Sequence, residues 1–239
     1  MKVLITGGAG YVASIIRPSL EAEHDCWYLD LKPVPDADDR SIVGDLSNVA
    51  LLTKSVRGMD VVVWLAMGKC PNLENGEHDI DAAFNVNVRD LYRILNVAHD
   101  AGVRRFVYAS SLSVYNVKEV VDAHPIDERL PTTAWQPYGV SKRIGEFLGE
   151  ALVQRDPSVS FISLRLMFPR HDRDWTGPPD GSKHHSFPIG PNDTRRLFSA
   201  AIEHAEPGYA VVNATGDRNG EYFIQAQADQ LLGWRPHGE

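Results

Sequence analysis

Short runs of consecutive apolar residues alternate along this chain with longer stretches whose apolar positions recur every three or four residues. The short runs predict strands at Val3–Thr6, Cys26–Leu31, Ser41–Val43, Val61–Ala66, Arg105–Ala109 and Phe161–Leu166. The longer stretches predict helices over Tyr11–Ala22, Val49–Val56, Ile80–Ala101 and Tyr138–Arg155. Leu91, Ile94, Leu95 and Ala98 mark one face of the third helix, and Gly102 stands where a C-terminal glycine belongs. Alternating strands and helices, with strands apolar throughout, imply a parallel sheet covered on both faces, the doubly wound α/β class.

The pattern changes after about Met167. From Pro169 to Pro191 the chain holds five prolines and three glycines, which predicts a long loop. A helical stretch, Asp193–His204, follows, then a strand at Ala210–Asn213 and a short helix ending near Leu232-Gly233-Trp234. This divides the chain into a ligand-binding sheet domain over residues 1–165 and a small substrate-binding cap over 166–239 that is not a domain of its own.

Composition narrows the partners. A net charge of -8 argues against nucleic acid or an anionic membrane surface. No apolar stretch approaches the length of a membrane-spanning helix, and the run after Met1-Lys2 is too short for a signal peptide. Cys26 and Cys70 form no metal or redox spacing and read as reduced thiols, so a cytoplasmic protein is expected.

The first strand falls directly into Gly7-Gly8-Ala9-Gly10, with Ala13 three residues on. Glycines between a strand and a helix serve a pyrophosphate: one makes the turn, another admits the phosphate, and a last small residue packs helix on strand. The helix N-terminus, with the amides of Tyr11 and Val12, then faces the anion. Asp30 ends the second strand 20 residues after Gly10, where a carboxylate binds ribose hydroxyls and repels a 2′-phosphate. NAD is therefore favoured over NADP, against the pull of Lys32 two residues later.

A second group of residues points to proton transfer. Tyr138 and Lys142 stand at i and i+4 on one predicted helix face, with Pro137 just before them. A free tyrosine has a pKa of about 10. A nearby ammonium favours the phenolate, and bringing it near neutrality takes roughly 4 kcal/mol. Ser111 follows the strand Arg105–Ala109, where an α/β sheet binds its ligands; a serine pair there is also a common turn cap.

Taken together, TGGAGYVA, Asp30, Gly44-Asp45-Leu46, Trp64-Leu65-Ala66, Asn87-Val88, AGVRRFVYASSLSVY and PYGVSK resemble the extended short-chain dehydrogenase/reductases, the NAD-dependent epimerase/dehydratase superfamily. The resemblance covers about residues 1–165 and implies a Rossmann sheet. It implies that Gly7, Gly10 and Ala13 line the pyrophosphate turn and Asp30 holds the adenosine ribose. Asp45 and Leu46 would sit against the adenine, Ala66 beneath the nicotinamide-side ribose, and Asn87 would buttress the site. Ser111, Tyr138 and Lys142 would form the catalytic triad: serine polarising the substrate oxygen, tyrosine moving the proton, lysine also binding the nicotinamide ribose. Relatives pair as homodimers through two helices that correspond here to Ile80–Ala101 and Tyr138–Arg155.

Departures from the pattern bear on the substrate. Leu112 and Ser113 stand where sugar dehydratases carry an Asp-Glu pair, which argues against 4,6-dehydration. LRLMFPR, residues 164–170, lacks the Asn and Gly-Pro that help seat a nucleotide sugar. The short C-terminal part, PNDTRRLF and LLGWRP are similar to uronate dehydrogenases, which oxidise C1 of a free hexuronic acid with NAD. A small sugar or sugar acid is the substrate this implies, with Lys69, Ser111, Ser113, Arg165, Arg170 and Arg173 as candidate contacts; Arg suits a carboxylate. The alternatives are a nucleotide-sugar epimerase and a non-catalytic NAD(P)-sensing regulator. His171, His184 and His185 with Asp172, Asp174 and Asp180 fit no structural zinc spacing, so no metal is expected.

Overall fold

Leu4 faces one way and its neighbours Val3 and Ile5 the other, and all three are fully buried. A strand with that pattern needs cover on both faces, and the computed structural model, which describes residues 1–68, 80–116, 125–178 and 186–239, supplies it. Seven parallel strands form one sheet in the order β3-β2-β1-β4-β5-β6-β7. They are β1 (Lys2–Thr6), β2 (Asp25–Asp30), β3 (Ser41–Val43), β4 (Val61–Trp64), β5 (Arg105–Ser111), β6 (Ser160–Leu166) and β7 (Gly208–Ala214). Strand order reverses between β1 and β4, which opens a crevice at their carboxyl ends.

On one face, Val3 and Ile5 pack with Ile15, Ile16 and Leu20 of α1 (Tyr11–Glu23) and with Leu197, Phe198 and Ile202 of α6 (Pro191–Glu203). The short α7 (Ala226–Leu232) closes this face, ending at Gly233 in the left-handed conformation. On the other face, Leu4, Val62, Trp64 and Phe106 meet Leu52 of α2 (Val49–Ser55), Leu91, Ile94 and Leu95 of α4 (Leu91–Asp100), and Leu152 of α5 (Pro137–Arg155). Residues beyond 166 thus add β7 to the sheet and two helices to its core, and they also build a smaller apolar cluster of Met167, Phe187 and Phe223 with Leu112, Val114 and Ile126.

Three of the differences from the sequence reading bear on the crevice. β4 ends at Trp64, so Leu65 and Ala66 turn out of the sheet at the crevice. β5 runs on to Ser111, paired with Leu166, so Ser110 and Ser111 are strand residues. The helix expected over Ile80–Ala101 is not uniform: α3 (Ile80–Phe84) passes into a widened π-turn over Asn85–Asp90 before α4. Such widenings are frequent at functional sites, and the buried Asn87 lies within this one.

α5 lies unusually close to the sheet because its buried face is small. Gly145 and Gly149 face Tyr108 and Phe161, and a methyl group at either would drive into the ring it faces. Ser141, Lys142 and Glu146 share that face with Gly139 and Leu152.

Candidate active site

The turn after β1 is shaped by a close approach of two backbones. Gly7 has φ +73°, and a Cβ there would stand 2.7 Å from the backbone nitrogen of Ala66. Gly7 N–H donates to the Leu29 carbonyl at 2.8 Å, and Gly10 N–H to the Gly7 carbonyl at 2.9 Å. Among the described residues no side chain caps Gly10 and no acidic residue occupies the first turn of α1. The amides at Tyr11 and Val12 therefore begin the helix without an anionic side chain to answer them.

Asp30 reaches the same crevice from the end of β2. Its Oδ2 accepts from Ala9 N–H at 3.0 Å and its Oδ1 from Lys32 N–H at 3.1 Å. A carboxylate has about four lone-pair sites, so acceptor capacity remains toward the crevice. Asp45, Leu46 and Ala66 line the crevice with Gly7 and Asp30. Asp45 Oδ1 accepts from Ser47 N–H at 2.7 Å, and that bond holds its carboxyl below the usual range. A cradle that a Cβ would fill, an uncapped helix start and a two-amide carboxylate fit a dinucleotide such as NAD.

Asn87 lies at the far wall, fully buried. Its Oδ1 accepts from Gly68 N–H at 3.0 Å and its Nδ2 donates to Ser141 Oγ at 2.9 Å. Ser141 Oγ in turn donates to the Tyr138 carbonyl at 2.7 Å. This chain of bonds ties the loop after β4 to the first turn of α5. Lys142 is 3% exposed; its Nζ donates to the Ala109 carbonyl at 2.7 Å and lies 5.7 Å from the Tyr138 ring centre and 5.0 Å from that of Tyr108. Burial lowers its pKa to about 8, against an opposing pull from Glu146. Ser111 ends β5, and its Oγ accepts from Ser113 N–H at 3.1 Å, so it does cap the turn Leu112–Val114. α5 presses on that turn as well: Gly139 packs on the Ser113 carbonyl and on Ala134. Ser111 and Lys142 thus both lie toward the carboxyl end of β5, with the Tyr138 ring near Lys142.

Residues 3–169 match the NAD-dependent epimerase/dehydratase family. The chain belongs to that family. Among its relatives, the L-arabinose 1-dehydrogenase (NAD(P)(+)) of Haloferax volcanii is 24% identical over 251 residues, spanning 98% of this chain and 96% of its own. The uronate dehydrogenase of Pseudomonas syringae pv. tomato is 23% identical over 239 residues, spanning 96% and 80%. A short-chain dehydrogenase/reductase superfamily protein from Agrobacterium tumefaciens, solved with bound NAD, shares the fold with a TM-score of 0.82 at 20% identity over 99% of this chain and 93% of that one.

In this epimerase/dehydratase-family chain the candidate substrate contacts part company. Arg165 does not reach the crevice. It is 4% exposed and lies bidentate on Glu146, with Nε–Oε1 at 2.9 Å and Nη2–Oε2 at 2.7 Å. Its remaining nitrogen donates to the Tyr115 hydroxyl and to the Glu128 carbonyl. Arg170 and Arg173 are exposed, and Arg173 pairs with Asp174 at 3.6 Å. Ser113 is exposed beside Ser111, while Lys69, His184, His185 and Asp180 lie outside the described residues.

Two features escaped the sequence reading. The Tyr11 hydroxyl donates to Asp174 Oδ2 and accepts from His171 N–H, both at 2.9 Å, strapping the turn Asp172–Asp174 to the start of α1. Glu146, four residues after Lys142, continues the Tyr138-Lys142 spacing by one more turn, and that repeat was its one visible signal.

The crevice geometry predicts that Asp30→Ala weakens NAD binding about tenfold, equivalent to ~1.5 kcal/mol, and narrows the preference over NADP. Equilibrium titration with both cofactors checks this. An unchanged preference would show that Asp30 does not read the ribose.

Proposed function

We propose that this chain is an NAD-dependent dehydrogenase that oxidises a hydroxyl-bearing carbon of a free sugar or sugar acid, in the manner of a uronate dehydrogenase. The observation that carries this is the buried Lys142 ammonium beneath Tyr138, at the strand end that also presents Ser111. NAD supplies the hydride acceptor. The glycine turn, Asp30, Asp45, Leu46 and Ala66 would hold it, with the buried Asn87 supporting the loop after β4. Ser111 donates its hydroxyl hydrogen to the substrate oxygen while its Oγ keeps the bond from Ser113 N–H. Tyr138, ionised as the phenolate, would take the hydroxyl proton and become a neutral phenol as the carbonyl forms. Lys142 keeps positive charge beside that oxygen, which favours the phenolate.

The choice of a free sugar draws on relatives that are named dehydrogenases of arabinose and uronate and span most of this chain. With Arg165 committed to Glu146, a substrate carboxylate would be met by Arg170, Arg173 or Lys69. The closed first strand–helix unit and the intact Tyr138-Lys142 pair favour an enzyme over a cofactor-sensing regulator.

We also infer a homodimer built on α4 and α5. Tyr92 on α4 is 56% exposed and Phe147 on α5 is 65% exposed, large apolar groups that a second copy would cover. Sedimentation velocity reads this, with Phe147→Asp expected to yield monomer; a wild-type monomer contradicts it. A cytoplasmic setting fits the free thiol of Cys26, which is buried and has its pKa pushed up to about 11 by that burial. No helix among the described residues is long and apolar enough to cross a membrane.

The deciding experiment follows NADH absorbance with L-arabinose, glucose 6-phosphate, glucuronate, galacturonate and UDP-glucose. Turnover of a free sugar is expected, lost by roughly 100-fold or more in Tyr138→Phe with NAD affinity nearly unchanged. Turnover of UDP-glucose alone would overturn the substrate class.

A further inference from the structure

Below the floor of the site lies a ring of buried polar groups that take no direct part in hydride transfer. Glu146 is 5% exposed and Arg165 4%. Glu146 Oε1 accepts from Ser110 Oγ at 2.6 Å as well as from Arg165. Arg165, on β6, reaches the Tyr115 hydroxyl and the Glu128 carbonyl, and Glu128 Oε1 accepts from Asn213 N–H of β7 at 3.2 Å. The ring therefore joins α5, the end of β5, and strands β6 and β7.

A buried ion pair is a poor device for stability alone, because well-packed apolar residues of the same volume often serve as well or better. What distinguishes this pair is its position. Glu146 is one turn from Lys142 on the same buried helix face, and Ser110 is the residue before Ser111. Around Lys142 stand Tyr108 and the Ala109 carbonyl from β5, Tyr138 and Glu146 from its own helix, and neutral Asn87 behind Ser141. Arg165 of β6 and Tyr209 of β7 reach it through Glu146. Asp90, in the π-turn, is paired with Arg89 and Arg93. Glu146 is thus the anion whose charge acts on Lys142, and Arg165 is the cation paired with that anion.

We propose that Glu146 and Arg165 are positioning residues for this site: Glu146 keeps the Lys142 ammonium charged and pins Ser110, and with it Ser111, at the end of β5, while Arg165 sets how much negative charge Lys142 feels. The sign follows directly. Removing the Glu146 charge makes Lys142 easier to deprotonate, and removing the Arg165 charge makes it harder. The relevance of Lys142 to turnover rests on the function proposed above.

The test is a pH titration of the lysine ε-carbon NMR signals in full-length protein, with the Lys142 signal identified by its loss in Lys142→Met. Glu146→Gln should move the Lys142 midpoint to lower pH by ~0.5 unit or more. Arg165→Met should move it to higher pH, and the double variant should return it toward wild type. If Glu146→Gln alone does not fold, the Arg165→Met and double variants decide, since the double leaves neither member of the ion pair without its partner. Midpoints at the wild-type value in every folded variant, with only the melting temperature lowered, would make the pair a structural strut and overturn the proposal. The alkaline limb of kcat/KM on an oxidised sugar should follow the same order. A limb that stays while the NMR midpoint moves would sustain this inference and contradict the role given to Lys142 in turnover.

Discussion

A buried ammonium group dictates much of this structure. Burial works against the charge of Lys142, so its surroundings must answer for it. They do so with the Ala109 carbonyl, the faces of Tyr108 and Tyr138, and the charge of Glu146. To bring Lys142 that deep, α5 must lie close on β5 and β6. That closeness requires Gly145 and Gly149 against Tyr108 and Phe161. The helix gives up apolar packing on its inner face in exchange for a charged group at the end of β5. The chain from Asn87 through Ser141 to the Tyr138 carbonyl then fixes the first turn of α5 against the loop that follows β4.

The other half of the site depends on a contact between two backbones. Gly7 and Ala66 touch where strand order reverses, so main chain packs against main chain at the crevice floor there. Asp30 is held on that floor by two amides and keeps acceptor capacity on its open side. The loop after β4 and the first turn of α5 are joined by Asn87, which grips Gly68 on one side and Ser141 on the other.

Most of the architecture was legible in the amino-acid pattern because strands buried on both faces read as unbroken apolar runs, and the helices on each side carry regular apolar stripes. The glycine turn, Asp30 and the Tyr138-Lys142 pair were legible because their chemistry demands particular residue types at short spacing. Arg165 was not. A strand covered on both faces does not reveal which way a single charged residue points, and the partner that claims it, Glu146, lies on another element. The π-turn at Asn85–Asp90 was also hidden, since a single widened turn leaves the apolar stripe of α4 intact. α5 was recognisable from its motif more than from periodicity, because its buried face holds Gly, Ser, Lys and Glu besides Leu152. The strap from Tyr11 to the turn Asp172–Asp174 spans most of the chain and left no local trace.

The central claim is that buried Lys142 makes Tyr138 the group that accepts the substrate proton. Its most direct measurement is the ionisation of Tyr138 itself, read as the ultraviolet tyrosinate signal of wild type minus that of Tyr138→Phe, with the same difference taken in a Lys142→Met background. The account predicts that Tyr138 ionises at lower pH with Lys142 present than with methionine in its place. Equal midpoints in the two backgrounds would contradict it.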